Sequence, residues 1–303
     1  MPNKKILIIA NPKAGKAKIK NDILKIIQVF SNGGFDVTVY PTKARGDATV
    51  KAQSLSQGEY DRVVVCGGDG TLNEVITGLM RSGIVCTLGY IPSGTLNEWS
   101  SSLKISRDTT VAAQDIITGT KIDLDVGKFD DKYFSYTASF GAFTEASYSA
   151  PQGVKNAIGQ AAYFFEGLKS IGHIKPLHLR FKCDDREIED DFWFGAVSNS
   201  MSVGGIVKFK DSVVNLNDGL FEVLLIKKPT KIAQFKSIVD GILRQDFTQD
   251  GIEFFHTRNV IVSGGADVPW TLDGEYCPGK EELTLSNIPS GLHLIVPQHN
   301  KYD

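Results

Sequence analysis

One stretch constrains this chain more than any other: Val63-Val64-Val65-Cys66-Gly67-Gly68-Asp69-Gly70-Thr71-Leu72-Asn73-Glu74. The apolar run predicts a buried strand, and the spacing of Leu72, Val75, Ile76 and Leu79 predicts a helix directly after the glycines. Glycine has no Cβ, so backbone N–H groups there can approach an anion closely. The helix N-terminus adds a field that favours phosphate. Asp69 would repel a phosphate unless a cation lay between them, so the stretch reads as a nucleoside triphosphate site with Mg²⁺. A tight turn capped by Asp69 and Thr71 is the alternative local reading.

The surrounding pattern supports a parallel sheet. Strand-type runs at Ile6–Ala10, Asp36–Tyr40, Arg62–Cys66 and Val85–Ile91 alternate with helical patterns at Ile19–Phe30, Ala48–Leu55, Leu72–Met80 and Thr110–Ile117. Three polar, glycine-containing turns follow strands, at Asn11 to Lys16, Gly67 to Asn73 and Pro92 to Asn97. In an open α/β sheet such turns converge on the rim beyond the strand carboxyl ends, where ligands bind. After about Gly119 short β-type runs dominate, from Lys121–Lys128 and Tyr133–Phe140 through Leu177–Cys183, Phe192–Ser198, Leu220–Ile226, Val260–Ser263, Trp270–Leu272 and Leu283–Leu285. Helical inserts are expected near Lys155–Ile171 and Lys231–Leu243. The expected division is an α/β domain at residues 1–122, a β-rich sandwich- or barrel-like domain at 123–290, and a tail at 291–303 that returns to the first, with the ligand cleft between the domains.

At 303 residues there is ample chain for two domains. A net charge of −2 argues against a nucleic-acid partner, which needs a broad basic footprint. Cys66, Cys86, Cys183 and Cys277 show no CxxC pairing, and the first two sit in apolar runs as expected buried thiols, which suits a reducing compartment. Neither a signal-peptide pattern nor a run long enough to span a bilayer is present, and no segment reads as an amphipathic membrane helix. The expected location is cytoplasmic, with peripheral contact at a membrane surface.

Other constellations narrow the chemistry. The loop Asn11-Pro12-Lys13-Ala14-Gly15-Lys16 resembles a phosphate loop in composition but lacks Walker spacing, and Asn73 stands where a dinucleotide fingerprint needs its third glycine. Lys16 could neutralise a phosphate or be an ordinary surface lysine. Thr95 offers a hydroxyl and Asn97 an amide to a ligand, or together they cap a helix. Asp273-Gly274-Glu275 can supply a general base or be a plain Asp-Gly turn. The oxygen-rich loop from Asn215 to Leu220 suits a hard cation or is a simple turn. Histidine spacing gives no zinc site, and no GxSxG elbow occurs.

Taken together, these residues resemble the bacterial diacylglycerol kinase family of soluble lipid kinases over nearly the whole chain. The resemblance rests on Gly67 to Glu74 and Pro92-x-Gly94-Thr95-x-Asn97, supported by Asn11-Pro12-x-x-Gly15, Thr42 before Gly46-Asp47-Ala48, Asp125-Val126-Gly127, Asn217 to Leu220 and Asp273 to Glu275. It implies a phosphofructokinase-like α/β nucleotide domain followed by a β-rich lipid domain. By position it implies ATP contacts at Asn11, Pro12, Lys13, Ala14, Gly15, Lys16, Thr42, Gly67, Gly68, Asp69, Gly70, Thr71, Leu72, Asn73 and Thr95. It further implies that Asp69 organises a catalytic Mg²⁺ and that Asp273 and Glu275 supply the catalytic carboxylates. A structural Mg²⁺ falls at Asn215, Asp218 and Leu220, and Asp125, Glu98 and Lys16 form a supporting charged network. Three positions depart from the family pattern: Glu98 stands for Asp, Ser101 for Arg, and Asn217 for the first Asp of the lipid-domain loop.

The function this implies is ATP-dependent phosphorylation of a lipid hydroxyl, diacylglycerol to phosphatidic acid first. Phe140, Phe143, Phe164 and Phe165 are candidates for admitting an acyl chain, or are core residues. The alternatives are another lipid alcohol (phosphatidylglycerol or a sphingoid base), NAD as acceptor, and a non-catalytic nucleotide or lipid sensor. A homodimer is expected from the resemblance alone.

Overall fold

Aliphatic, β-branched runs become the inner strands of an α/β unit, as their uniform hydrophobicity requires when both sheet faces are covered. The computed structural model describes residues 4–15, 18–95, 97–142, 175–203, 207–209 and 214–298. The chain forms two units, residues 1–124 with 290–303, and residues 125–289.

In the first unit the order along the chain is β1 (Lys4–Ala10), α1 (Lys18–Asn32), β2 (Phe35–Pro41), α2 (Asp47–Gln53), β3 (Arg62–Gly67), α3 (Asp69–Ser82), β4 (Thr87–Pro92), α4 (Glu98–Ser102) and α5 (Thr109–Thr118). The strands lie in the order β2-β1-β3-β4, every pair parallel. Leu294, near the end of the chain, continues this sheet in parallel register opposite Leu88. Ile6 to Ile9 and Val63 to Cys66 are buried throughout. The Asp108 carboxylate caps α5 through the amides of Thr110 and Val111. α3 ends on Gly83 at φ 70°, a left-handed stop that glycine adopts without strain.

The second unit is β-rich. The strand β5 (Thr120–Phe129), whose residues from Asp125 on belong to this unit, is followed by β6 (Lys132–Phe134), β7 (Thr137–Gly141), β8 (Leu177–Cys183), β9 (Glu187–Ser198) and the short pair β10 (Ser202–Val203) and β11 (Val207–Lys208). Then come β12 (Phe221–Lys227), α6 (Ile232–Arg244), β13 (Ile252–Thr257), β14 (Asn259–Ser263), β15 (Trp270–Leu272), β16 (Glu275–Cys277) and β17 (Glu282–Val296). All pairings inside this unit are antiparallel, and β9 serves two groups of strands. Its first half pairs with β8, and its second half lies between β7 and β12. Period-2 alternation sends Ala138, Phe140, Val197, Phe221, Val223, Trp270 and Leu272 into one core. The intervening residues Thr137, Ser198 and Glu222 lie directly opposite one another on the other face. Phe140 is wholly buried between Phe181 and Trp270, at centroid distances of 5.9 and 4.8 Å, so it serves the core.

The α/β and β-rich halves match the expected fold class. Details differ for local reasons. The run Tyr133–Phe140 is divided into β6 and β7, because the amides of Ser135 and Tyr136 turn aside to a carboxylate. Strands β10, β11, β13 and β16 and the one-turn helix α4 had no clear periodic signal. Residues 155–171, Phe143, Phe164, Phe165 and Lys16 lie outside the described residues.

Candidate functional site

In the first unit, three loops after parallel strands meet. Asn11 donates its amide to Cys66 O at 2.8 Å, and Ser93 donates its amide to Gly67 O at 2.8 Å. Asn11 Nδ2 reaches Thr71 Oγ1 at 3.1 Å, and Asn11 Oδ1 accepts from the Lys13 amide at 3.0 Å. The backbones approach so closely that glycine is required. A Cβ on Gly94 would stand 2.5 Å from Gly68 Cα, and one on Gly15, at φ 51°, would overlap Ser93 O. Gly68 opens α3 in extended conformation, leaving the first-turn amides and the helix dipole directed at this cradle.

Asp69 is the one acid in the first turn of α3, and its Oδ2 accepts from the Glu98 amide at 3.2 Å. Asp69 thus lies against the backbone of Glu98, the acid expected in the supporting network. Thr71 is nearly buried, Thr95 is exposed, and Thr42 is anchored by its amide to Ala10 O at 2.8 Å. Leu72 differs from the rest of the expected ATP set. It is wholly buried, and its amide bonds Gly68 O at 3.1 Å, so it serves packing and helix start. Asn97, read in the sequence as a ligand amide or a cap, spends its carboxamide at home. Oδ1 accepts from the Gly94 amide at 2.8 Å and Tyr90 OH at 3.2 Å, and Nδ2 donates to Gly94 O at 2.8 Å. Asn97 builds the loop at φ 52° rather than offering its amide to a ligand. Glu74 holds the Gly46 and Ala48 amides at 2.9 and 3.3 Å, which caps α2 and ties the Thr42–Ala48 segment to α3.

In the second unit, Asp273 and Gly274 form the two-residue turn between β15 and β16, with Leu272 opposite Glu275. Both turn residues have positive φ, 50° and 83°, as a type I′ hairpin demands. The Asp273 carboxylate faces inward. It accepts from the Ser135 amide at 2.6 Å, Ser135 Oγ at 2.7 Å, and the Tyr136 and Thr137 amides at 3.0 Å each. Tyr136 OH adds a bond to Asp273 O at 2.9 Å. Burial pushes the Asp273 carboxyl up, and these donors pull against it. Glu275, two residues on, is exposed. The two acids of one motif thus have opposite surroundings.

The loop from Asn215 to Leu220 closes on Asp125. Asp125 Oδ2 accepts the Gly219 amide at 2.7 Å, the Asp125 amide donates to Leu216 O at 2.9 Å, and Asn199 Nδ2 donates to Asp125 O at 3.0 Å. Asp218 Oδ1 accepts the Leu220 amide at 3.0 Å. Asn215 and Asp218 are exposed. Among the described residues no group of three or more His, Cys, Asp or Glu side chains is placed to hold a metal ion. The donor set at Asp69 nonetheless fits Mg²⁺ bound with a nucleotide. Such a site takes one or two carboxylates and completes its shell with phosphate oxygens and water.

Sequence reasoning missed Ser135, Tyr136 and Thr137, because their role lies in backbone amides that carry no residue-type signal. It also missed Glu222. This acid is fully buried on β12, where no other side chain bonds its carboxyl and only the backbone at Glu222 and Ser200 pulls its pKa down. Burial first, then the nearby Asp218 and Asp125 charges, push its pKa to about 9.

The chain is similar to known proteins over nearly its whole length. Residues 5–129 match the family described as the diacylglycerol kinase catalytic domain, and residues 138–296 match the YegS C-terminal NAD kinase beta sandwich-like domain. A Bacillus subtilis protein named diacylglycerol kinase is 31% identical over 300 residues, covering 97% of each chain. A Staphylococcus saprophyticus protein of the same name is 29% identical, covering 98% of this chain and 97% of the relative. A Bacillus anthracis crystal structure, provisionally assigned as a diacylglycerol kinase, superposes with a TM-score of 0.80 at 24% identity, covering 98% of this chain and 96% of its own.

Proposed function

Because the chain belongs to the diacylglycerol kinase family, we propose that it transfers the γ-phosphoryl group of ATP to a lipid hydroxyl, with diacylglycerol the first acceptor and phosphatidic acid the product. The observation that carries this reading is the glycine cradle, where Gly15, Gly68 and Gly94 bring three loops together beside Asp69 at the start of α3. It suits phosphates, and Asp69 suits the cation that accompanies them. Bound there, Mg²⁺ would neutralise charge on the transferring phosphoryl group. A second, structural cation would sit at the Asn215–Leu220 turn, taking the remaining Asp218 oxygen and the carbonyls of Asn215 and Leu220.

The two acids of the late motif divide the work. Asp273 spends its carboxylate on four donors and sets the hairpin, whereas Glu275 is exposed on the strand that follows. Glu275 is therefore the general base. It takes the proton of the lipid hydroxyl as the new O–P bond forms and the bond from the γ-phosphorus to ADP breaks. Work on such an acceptor makes the protein a peripheral visitor to a membrane surface. Among the described residues no helix is long and apolar enough to cross a membrane. A second reading, NAD as acceptor, draws on the NAD kinase-like character of the matched β-sandwich.

The test is labelled phosphate transfer from ATP and Mg²⁺ to detergent-solubilised lipid alcohols and to NAD. Diacylglycerol is expected to be labelled, with transfer abolished by Asp69→Ala. Glu275→Gln should lower turnover about 10²- to 10⁴-fold with nucleotide binding intact. Labelling of NAD alone would replace the lipid acceptor, and a fully active Glu275→Gln would remove that residue as base.

A further inference from the structure

The hairpin that carries Glu275 also presents Tyr276. Among the described residues this is the one aromatic side chain left strongly exposed, at 63%. It makes no side-chain hydrogen bond or ring contact among those residues. A single exposed ring is ordinary on a protein surface, so its place carries the weight. Strand β16 is held at both ends. Before it, the Asp273 carboxylate fixes the turn through four donors. After it, Cys277 is buried opposite Trp270, and a Cβ on Gly279 would stand 2.3 Å from the carbonyl oxygens of Gly265 and Val268. Tyr276 therefore sits on a fixed backbone, as a group that positions a substrate needs.

β16 is also the last strand on its side of the sheet. In a two-residue hairpin the closing pair, Leu272 and Glu275, exchanges hydrogen bonds, and the next pair, Thr271 and Tyr276, does not. The Asp273 amide bonds Thr137 O at 2.8 Å, so Thr271, two residues earlier, also directs its backbone groups toward β7. The Tyr276 amide and carbonyl thus point outward from the edge. Side chains alternate, so Glu275 shares a face with Leu272, and Tyr276 shares the other with Thr271. Thr271 is buried, and its hydroxyl is engaged by Ser139 Oγ at 2.7 Å. A molecule that touches both Glu275 and Tyr276 must cross the open edge of β16.

We infer that Tyr276 is a specificity-determining residue of the acceptor site. The lipid hydroxyl meets Glu275 on one face, the adjoining ester lies along the outward Tyr276 backbone, and the start of an acyl chain packs on the ring. Tyrosine suits such a junction, since its body is apolar and its tip polar. This deepens the lipid-acceptor reading and rests on it, so contact and transfer are measured separately. In detergent micelles at saturating ATP, Tyr276→Ala should raise the KM for diacylglycerol about ten-fold or more. It should leave kcat, the KM for ATP and the melting temperature unchanged. Tyr276→Phe keeps the ring and should keep the wild-type KM. Contact is read without ATP from Tyr276→Trp, because the three native tryptophans are buried. Diacylglycerol with brominated chains should quench the added emission, and brominated phosphatidylcholine, which has no free hydroxyl, should quench it far less. An unchanged KM for diacylglycerol in Tyr276→Ala would overturn the proposal, as would a rise shared by ATP. Equal quenching by the two brominated lipids would also overturn it, by making position 276 a general micelle contact. Selective quenching in a chain that phosphorylates no lipid would keep the contact and remove the acceptor.

Discussion

Asp273 and Glu275 show how one residue's surroundings decide its chemistry. A carboxylate that accepts two amides, a hydroxyl and a further amide is held in place, and removing it strands those donors in the interior. Asp273→Ala is expected to destabilise its unit by about 3–5 kcal/mol. For a domain of this size that lowers the melting temperature by roughly 6–20 °C. Glu275→Gln should leave melting unchanged and lose turnover. The two variants, compared by scanning calorimetry and by phosphate transfer, separate support from chemistry. Equal melting temperatures for wild type and Asp273→Ala would contradict the role given to that carboxylate. Asn97 teaches the same lesson, since its residue type suggests a ligand contact and its hydrogen bonds are all local.

At the scale of elements, β12 carries an acid where its neighbours need none. Glu222 sits opposite Ser198, which in turn sits opposite Thr137. Its folded pKa of about 9 lies far above the ordinary 4.5, so folding favours the protonated acid. That contribution is complete below pH 4.5 and is lost steadily as pH rises toward 9. Glu222→Gln keeps the shape and cannot ionise. It should therefore be more stable than wild type by about 3 kcal/mol at pH 7, with the difference closing near pH 4.5. Denaturant melts across that range measure it. A stability difference independent of pH would show that Glu222 does not ionise on unfolding as argued.

At the scale of the whole molecule, all four cysteines are free thiols, Cys66 and Cys277 buried and Cys86 and Cys183 partly so. Burial pushes Cys86 to about 11. It pushes Cys183 to about 12, with Asp184 adding to the rise. Burial raises Cys66 further still. A thiolate is the reactive form, so native protein at pH 8 should react slowly with a disulfide reagent and release four equivalents only after denaturation. The melting temperature should be the same with and without reductant. Rapid reaction of two or more thiols in the native state would contradict the burial of these residues.

The amino-acid sequence by itself determined the parallel α/β half, because uniform aliphatic runs, helical periods and post-strand glycines are local signals. It also determined the three loops at the rim, whose glycines are needed for backbone approach. Much of the β-rich half was legible as alternation, with Leu177–Cys183 and Trp270–Leu272 read to the residue. The tertiary structure alone decided which acid of the Asp273-Gly274-Glu275 turn is buried, since that depends on amides 136 to 138 residues away. It alone divided the Tyr133–Phe140 run, left Ile232 and Leu243 uncovered on α6, and enclosed Glu222. Periodicity records what a residue's neighbours in the chain are. Burial, hydrogen-bond saturation and proton affinity depend on what packs against it from elsewhere, and that is set only when the strands have found their partners.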